Sequence, residues 1–414
     1  MTPTISNRPT HAPMDQFPVI DNELHIGGIP LSRLAARVGQ TPFYAYDRNL
    51  ISERVEALRE TLPAEIHLHY AIKANPMPAV VQHLAGLTDG LDVASLGELR
   101  VALDTGMAAH KISFAGPGKT DRELAAAVAA GIIVNLESEG EMERITAAGE
   151  RLGVRPIVSV RVNPDFELKT SGMKMGGGAK PFGVDAEKVP ELLARIKTRS
   201  LDFRGFHIFS GSQNLRAEAI IEAQTKTFEL ASRLADHAAD PLAWLNIGGG
   251  FGIPYFPGEM RLDLKPVAEN LERLLSDRQT NLLDAEIVIE LGRYFVGEAG
   301  IYVCEIIDCK ESRGERFLVT NGGLHHHLAA SGNFGQVIRK NYPVMLGNKA
   351  ESTAVEKVNV VGPLCTPLDI LASKTELPPA EPGDLLVVFQ SGAYGVTASP
   401  HLFLSHPQCI ELLV

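Results

Sequence analysis

From about residue 43 to 295, short apolar or β-branched runs alternate with helical stretches rich in Ala, Leu, Glu and Arg. The runs predict strands at EIHLHYAIK (65–73), GLDVAS (90–95), KISFAG (111–116), GIIVNL (131–136), PIVSVRV (156–162), FRGFHIFS (203–210), AWLNIGG (243–249) and AEIVIELG (285–292). Stretches such as ELRVALDTGM and DRELAAAVAAG supply the helices between them. The first four strands begin roughly 20–25 residues apart, and the last three intervals are roughly 40–50. Eight β-α units of this kind most simply close into a (β/α)8 barrel, with an open doubly wound sheet as the alternative.

The texture changes after residue 296. Strand-like runs (IYVCEIIDCK, RFLVTNGG, EKVNVVGPLC, DLLVVFQSGAY, CIELLV) are separated by Gly/Pro/Asn turns, which predicts an antiparallel β domain over 296–414. Residues 18–39 have hairpin character, and 18–42 are expected to join that domain, leaving 43–295 for the barrel. Residues 1–17 are Thr/Pro/Asn-rich, lack the apolar core of a signal peptide, and are expected to be a flexible tail.

Composition narrows the function classes. The 414 residues are 45% apolar, with 39 Lys+Arg against 50 Asp+Glu and a net charge of −11. That balance argues against a nucleic-acid partner and against attachment to an anionic membrane. No apolar run reaches the roughly 18 residues a membrane span needs. Four cysteines without CxxC spacing fit reduced thiols in a cytoplasmic protein, with neither a disulfide framework nor a metal site.

The active site of such a barrel forms at the C-terminal ends of its strands. There the sequence places Lys73, Asp92, Arg161, His207, Ser210, Gly248-Gly249-Gly250, Glu290, Gly292 and Arg293. Taken singly, each has a plainer reading: a solvated lysine, a core histidine, a glycine turn, a surface Glu/Arg pair. Together they suggest one chemistry. A lysine among apolar walls loses pKa and becomes a nucleophilic amine for an aldehyde. A glycine run with an arginine holds a phosphate, an imidazole stacks on a flat ring, and a carboxylate keeps a ring nitrogen protonated. Those are the needs of pyridoxal 5′-phosphate.

The motifs YAIKAN (70–75), LDVASLGEL (91–99), GFHIFSGSQ (205–213), GGGFG (248–252), ELGR (290–293), GPLC (362–365) and SGAY (391–394) resemble the fold-type III pyridoxal-phosphate decarboxylases, the family of diaminopimelate, arginine and eukaryotic ornithine decarboxylases. The resemblance spans nearly all of 18–414. It implies Lys73 as the Schiff-base lysine, His207 on the ring face and Glu290 at the ring nitrogen. It places Arg161 near the ring hydroxyl. Ser210, Gly249, Gly250, Arg293 and Tyr394 would hold the phosphate, with Asp92, Gly248 and Gly292 beside them. It also implies a head-to-tail homodimer in which Cys365, a candidate proton donor, and Tyr394 serve a shared site. Leu291 replaces the family's proline between Glu290 and Gly292, which changes only the local turn. Alanine racemases share the barrel but set an arginine opposite the ring nitrogen. Glu290 therefore favours decarboxylation, and a non-catalytic homologue would be expected to have lost Lys73 or Cys365.

The distal substrate pocket departs from the diaminopimelate enzymes, which follow the cysteine with Glu. Here the chain reads Cys365-Thr366-Pro367-Leu368-Asp369, so the distal ammonium anchor is missing or moved to Asp369. In GLHHH (323–327), consecutive strand residues would face opposite sides, so one histidine, His326, is expected to line the pocket rather than all three to bind a metal. KMGG, PFG, GGGFGIPYF, GLHHH and GPLCTP resemble two subgroups. One decarboxylates a glutamyl unit carried on an acyl carrier protein. The other accompanies exosortase and exopolysaccharide gene clusters and is the closer resemblance. The expected substrate is an amino acid or carrier-linked aminoacyl unit other than free diaminopimelate, with diaminopimelate decarboxylation as the alternative. The loop KTSGMKMGGGAKPF (169–182), with Lys169, Lys174 and Lys180, would be a mobile solvated loop, a lid or a dock for an acidic carrier.

Overall fold

A computed structural model describes residues 9–168, 173–174 and 176–414. Lys169 and the side chain of Lys174 lie outside the described residues. The chain divides into two compact units: residues 52–252 with 262–295, and residues 1–51 with 253–261 and 296–414.

In the first unit, eight parallel strands form a closed barrel. They are β1 (Ile66–Ala71), β2 (Gly90–Val93), β3 (Ile112–Phe114), β4 (Ile133–Leu136), β5 (Ile157–Asn163), β6 (Asp202–Ile208), β7 (Trp244–Gly249) and β8 (Glu286–Leu291). Each pairs with its successor, and β8 pairs with β1 through Glu290 opposite His69. Closure excludes the open doubly wound sheet. The strands are rich in apolar residues because helices cover their outer faces.

Local signals start these helices directly after the strands. Ser95 Oγ accepts from Glu98 N to cap helix Leu96–Asp104. Thr120 and Glu123 form a reciprocal capping box for Asp121–Ala130, and Ser138 caps Glu139–Leu152. The floor of the barrel is apolar, where Ile133, Trp244 and Val288 pack with Ile157. Above it runs a buried polar chain. Ser113 Oγ donates to Asp92 Oδ1 at 2.5 Å, Asn135 Nδ2 donates to Ser113 Oγ at 3.2 Å, and Ser159 Oγ donates to Asn135 Oδ1.

The second unit is built on a mixed sheet ordered Val344–Leu346, Leu385–Val388, Gly300–Ser312, Glu315–Thr320, Glu356–Val361 and Ile370–Leu377. It is mostly antiparallel, but Glu315–Thr320 runs parallel to Glu356–Val361. Strand Phe43–Tyr46 pairs with Gly300–Ser312 and, in parallel, with Ile410–Leu413. The segment from 43 to 51 therefore belongs to this unit and not to the barrel, as does 253–261. FYAY looks like a barrel strand in sequence because all four of its residues are buried in either setting. The core here gathers Leu24, Ile26, Leu31, Leu34, Phe43, Ile301, Val387 and Phe389.

The flexible tail expected over 1–17 does not extend to residue 17. Phe17 is buried in that core. Asp15 pairs with Arg261 at 2.9 Å, and Gly258 N donates to Thr10 O at 2.8 Å. A polar composition hid these anchors because they are made by backbone and charge.

Candidate active site

Lys73 follows β1 by two residues, in a 3₁₀ turn over Ile72–Ala74. Tyr70 Oη donates to Asn75 O at 2.8 Å and Asn75 Oδ1 accepts from Met77 N at 3.1 Å, which fixes the turn. Gly292 lets the exit of β8 abut it: a Cβ there would stand 2.8 Å from Ala74 Cβ and 3.2 Å from Ala71 O. The result is close approach of two charges from opposite ends of the barrel sequence. Lys73 Nζ lies 3.3 Å from Glu290 Oε1, and His207 Nε2 lies 3.2 Å from Glu290 Oε2. Lys73 Nζ is also 5.9 Å from the Phe209 ring centroid. Burial alone would favour a neutral Glu290. The Lys73 charge, the His207 hydrogen bond and charge, and the Arg161 charge outweigh it and hold the carboxyl well below the usual carboxylate range.

The glycine run is demanded by backbone crowding. A Cβ on Gly249 would meet Glu290 O at 2.2 Å, and one on Gly250 would meet Gly211 O at 2.1 Å. Gly250 also has φ +75. The run thus brings the end of β7 against β8 and against the turn after β6, where Ser210 is buried. Gly248 N is committed to Asn246 Oδ1 at 2.8 Å, so this amide serves the fold rather than a ligand. Arg293 opens the short helix Arg293–Val296.

Arg161 lies in register with His207 on the neighbouring strand. Its Nη1 is 3.1 Å from Glu137 Oε1. Asp92 sits lower, in the buried polar chain, with His69 Nδ1 3.3 Å away. No motif in the sequence singles out Glu137 or Asn246. Both follow from the same rule, since Glu137 directly follows β4 and Asn246 lies on β7 beside His207 in register.

The remaining candidates belong to the β unit. Cys365 is an exposed free thiol in the GPLC turn. Tyr394 has φ +54 in the SGAY turn. Thr366 Oγ1 accepts from Leu368 N at 3.3 Å. Asp369 is 2% exposed, and both its oxygens are taken: Oδ1 by Leu324 N at 2.6 Å and Oδ2 by Leu364 N at 2.8 Å. It ties the GLHHH and GPLC turns together.

The three histidines lie in a turn after Glu315–Thr320, not on a strand, and all three rings are buried. His326 is pinned by Pro407 O at Nε2 (2.7 Å) and Tyr302 Oη at Nδ1 (3.4 Å), so the histidine expected in the pocket is engaged within its own unit. His327 Nε2 lies 2.9 Å from Ser391 Oγ. Burial lowers the three imidazoles, His325 and His327 to about 3 and His326 to about 4.

A lysine amine, an ionised buried carboxylate, an imidazole, a guanidinium and a glycine-walled turn on one rim fit the groups that hold pyridoxal 5′-phosphate. Residues 48–297 match the family described as pyridoxal-dependent decarboxylase, pyridoxal binding domain. The chain belongs to the fold-type III pyridoxal-phosphate-dependent decarboxylases and is an amino-acid decarboxylase. It is 37% identical to the L-glutamyl-[BtrI acyl-carrier protein] decarboxylase of Niallia circulans, over 90% of this chain and 89% of that one. It is 34% identical to the diaminopimelate decarboxylase of Aquifex aeolicus, over 95% and 91%. The crystal structure of Helicobacter pylori diaminopimelate decarboxylase complexed with L-lysine superposes with a TM-score of 0.81 at 28% identity, covering 92% of this chain and 94% of that one. Among the described residues, no helix is long and apolar enough to cross a membrane.

Proposed function

We propose that the protein removes the α-carboxylate of an amino-acid unit whose far end is a neutral extension, such as an aminoacyl thioester on a carrier protein, and that free diaminopimelate is a poor substrate. The observation that carries this reading is the state of Asp369. Thr366 stands where a carboxylate would be needed, and the one acid that could replace it spends both oxygens on backbone amides. The carrier-linked substrate named for the Niallia circulans relative supports the same reading.

When bound, pyridoxal phosphate supplies the electron sink that loss of carbon dioxide requires. The chain's residues prepare for that chemistry. Lys73 would offer the amine for the cofactor's aldehyde. Glu290, ionised despite burial, would favour a protonated ring nitrogen, and His207 orients Glu290 through Oε2. Gly249, Gly250, Ser210 and Arg293 would hold the phosphate. Cys365 Sγ, exposed in its turn, returns a proton to the α-carbon. The active unit is a homodimer in which Cys365 and Tyr394 serve a shared site, and four unpaired cysteines fit a cytoplasmic setting.

The test compares kcat/KM for diaminopimelate, lysine, ornithine, arginine and a glutamyl-carrier thioester. Removing one partner of a buried charged pair costs about 2–5 kcal/mol, so diaminopimelate should fall one and a half to nearly four decades below a good substrate. Turnover of diaminopimelate at about 10⁴ M⁻¹s⁻¹ or more would overturn the proposal and assign the enzyme to lysine formation.

A further inference from the structure

Glu137 is fixed more firmly than any single partner requires. Its side chain is 3% exposed. Oε1 accepts from Gly116 N at 2.5 Å and faces Arg161 Nη1 at 3.1 Å, while Oε2 accepts from Gly183 N at 3.0 Å. Its own N–H donates to Glu141 Oε2 at 2.7 Å. Glu141 in turn pairs with the buried Lys119, whose Nζ also donates to Gly116 O and Asn135 O. On the other side, the Arg161 guanidinium lies 5.1 Å from the centroid of Phe182, the residue before Gly183. Arg161 is therefore held by a carboxylate that cannot move and an aromatic ring that follows the same anchor.

A stabilising role is not the whole reason to keep this arrangement. A buried ion pair costs desolvation and is often replaced by apolar groups without loss. What the pair does secure is the place of one positive charge beside Glu290, whose ionised state that charge supports.

We propose that Glu137 is a positioning residue of the decarboxylase, holding Arg161 in the one orientation in which it serves the cofactor. The inference rests on the reading that Arg161 faces the cofactor, and the experiment separates the two. Apoenzyme of the parent, Glu137→Gln, Arg161→Met and the double variant is titrated with pyridoxal 5′-phosphate. The dissociation constant is measured, together with the pH midpoint of the bound cofactor's visible band.

Arg161→Met should weaken the cofactor. Glu137→Gln should weaken it on the order of tenfold, the scale of a hydrogen bond to a charged group. It should also lower the midpoint by about half a unit to one unit, because Arg161 loses its counter-charge. In the Arg161→Met background, Glu137→Gln should change the affinity little, since no guanidinium remains to misplace. An unchanged affinity in Arg161→Met would defeat the reading of Arg161. A changed affinity in Arg161→Met with none in Glu137→Gln, or effects that simply add, would defeat the role of Glu137. If Glu137→Gln fails to fold, Glu137→Asp takes its place. It keeps the charge but withdraws it by one methylene, and parent-like affinity and midpoint would overturn the proposal.

Discussion

Glu290 is a carboxylate kept ionised in a place that would otherwise neutralise it, and this property can be measured in two ways. Glu290→Gln keeps the shape and removes the charge. It should leave the cofactor bound and slow decarboxylation by about 10²–10³, the scale for one electrostatic stabiliser. Unchanged turnover would place the ring nitrogen elsewhere. The second readout is stability against pH. The folded-state value lies below the ordinary 4.5, so the carboxylate contributes stability that is fully present above about pH 4.5 and is lost as the pH falls toward the depressed value. The Tm difference between parent and Glu290→Gln should therefore shrink from pH 7 to pH 3, and a constant difference would mean that Glu290 is not held by Lys73, His207 and Arg161.

Among the elements, the end of β7 and the histidine turn have different physics. Gly249→Ala puts a Cβ 2.2 Å from Glu290 O, which is backbone and cannot rotate away. β7 and β8 must separate, carrying Glu290 with them. We expect loss of activity together with a lowered Tm, and a fully active Gly249→Ala would show that the strands have slack.

The turn holding His325, His326 and His327 loses stability in acid. Their folded values, about 3, 4 and 3, lie below the ordinary 6.5. As the pH falls below 6.5 the unfolded chain takes up protons first, so stability drains between pH 6.5 and about 3–4. Each histidine contributes up to about 1.4 kcal/mol per pH unit. His325 has no hydrogen-bond partner at either ring nitrogen among the described residues, and its ring lies 3.7 Å from that of His326. His325→Phe keeps a ring and removes the titration, so its Tm should fall less steeply than the parent's from pH 6.5 to 4. Equal slopes would show that His325 is already charged in the folded protein.

The proposed assembly is testable on the whole molecule. Lys73→Ala and Cys365→Ala should each be inactive. If the homodimer shares its sites, exchanging subunits between them gives mixed dimers with one intact site of two. Random mixing at equal amounts should then restore about a quarter of the parent activity. No recovery despite verified exchange would mean that Lys73 and Cys365 act within one chain.

The barrel and its rim were legible in the sequence because both follow from local rules. A strand buried on two faces is rich in apolar residues, helices often begin at a cap, and residues that end parallel strands share one rim. Lys73, His207, Glu290 and the glycines needed nothing further. Contacts between segments distant in sequence were not legible. FYAY could pair in either unit, since its burial is the same in both. Thr10 and Asp15 are held by a backbone amide and by Arg261, contacts that carry no sequence signal. Asp369 offered the composition of a substrate anchor, and only the fold showed both its oxygens closed by Leu324 and Leu364. Glu137 had the right place in the sequence, but its weight comes from Gly116, Arg161 and Gly183, partners drawn from three separate segments. A residue's type fixes what chemistry it can do. Which of its atoms remain free to do it is decided by neighbours that only the folded chain brings within hydrogen-bond reach.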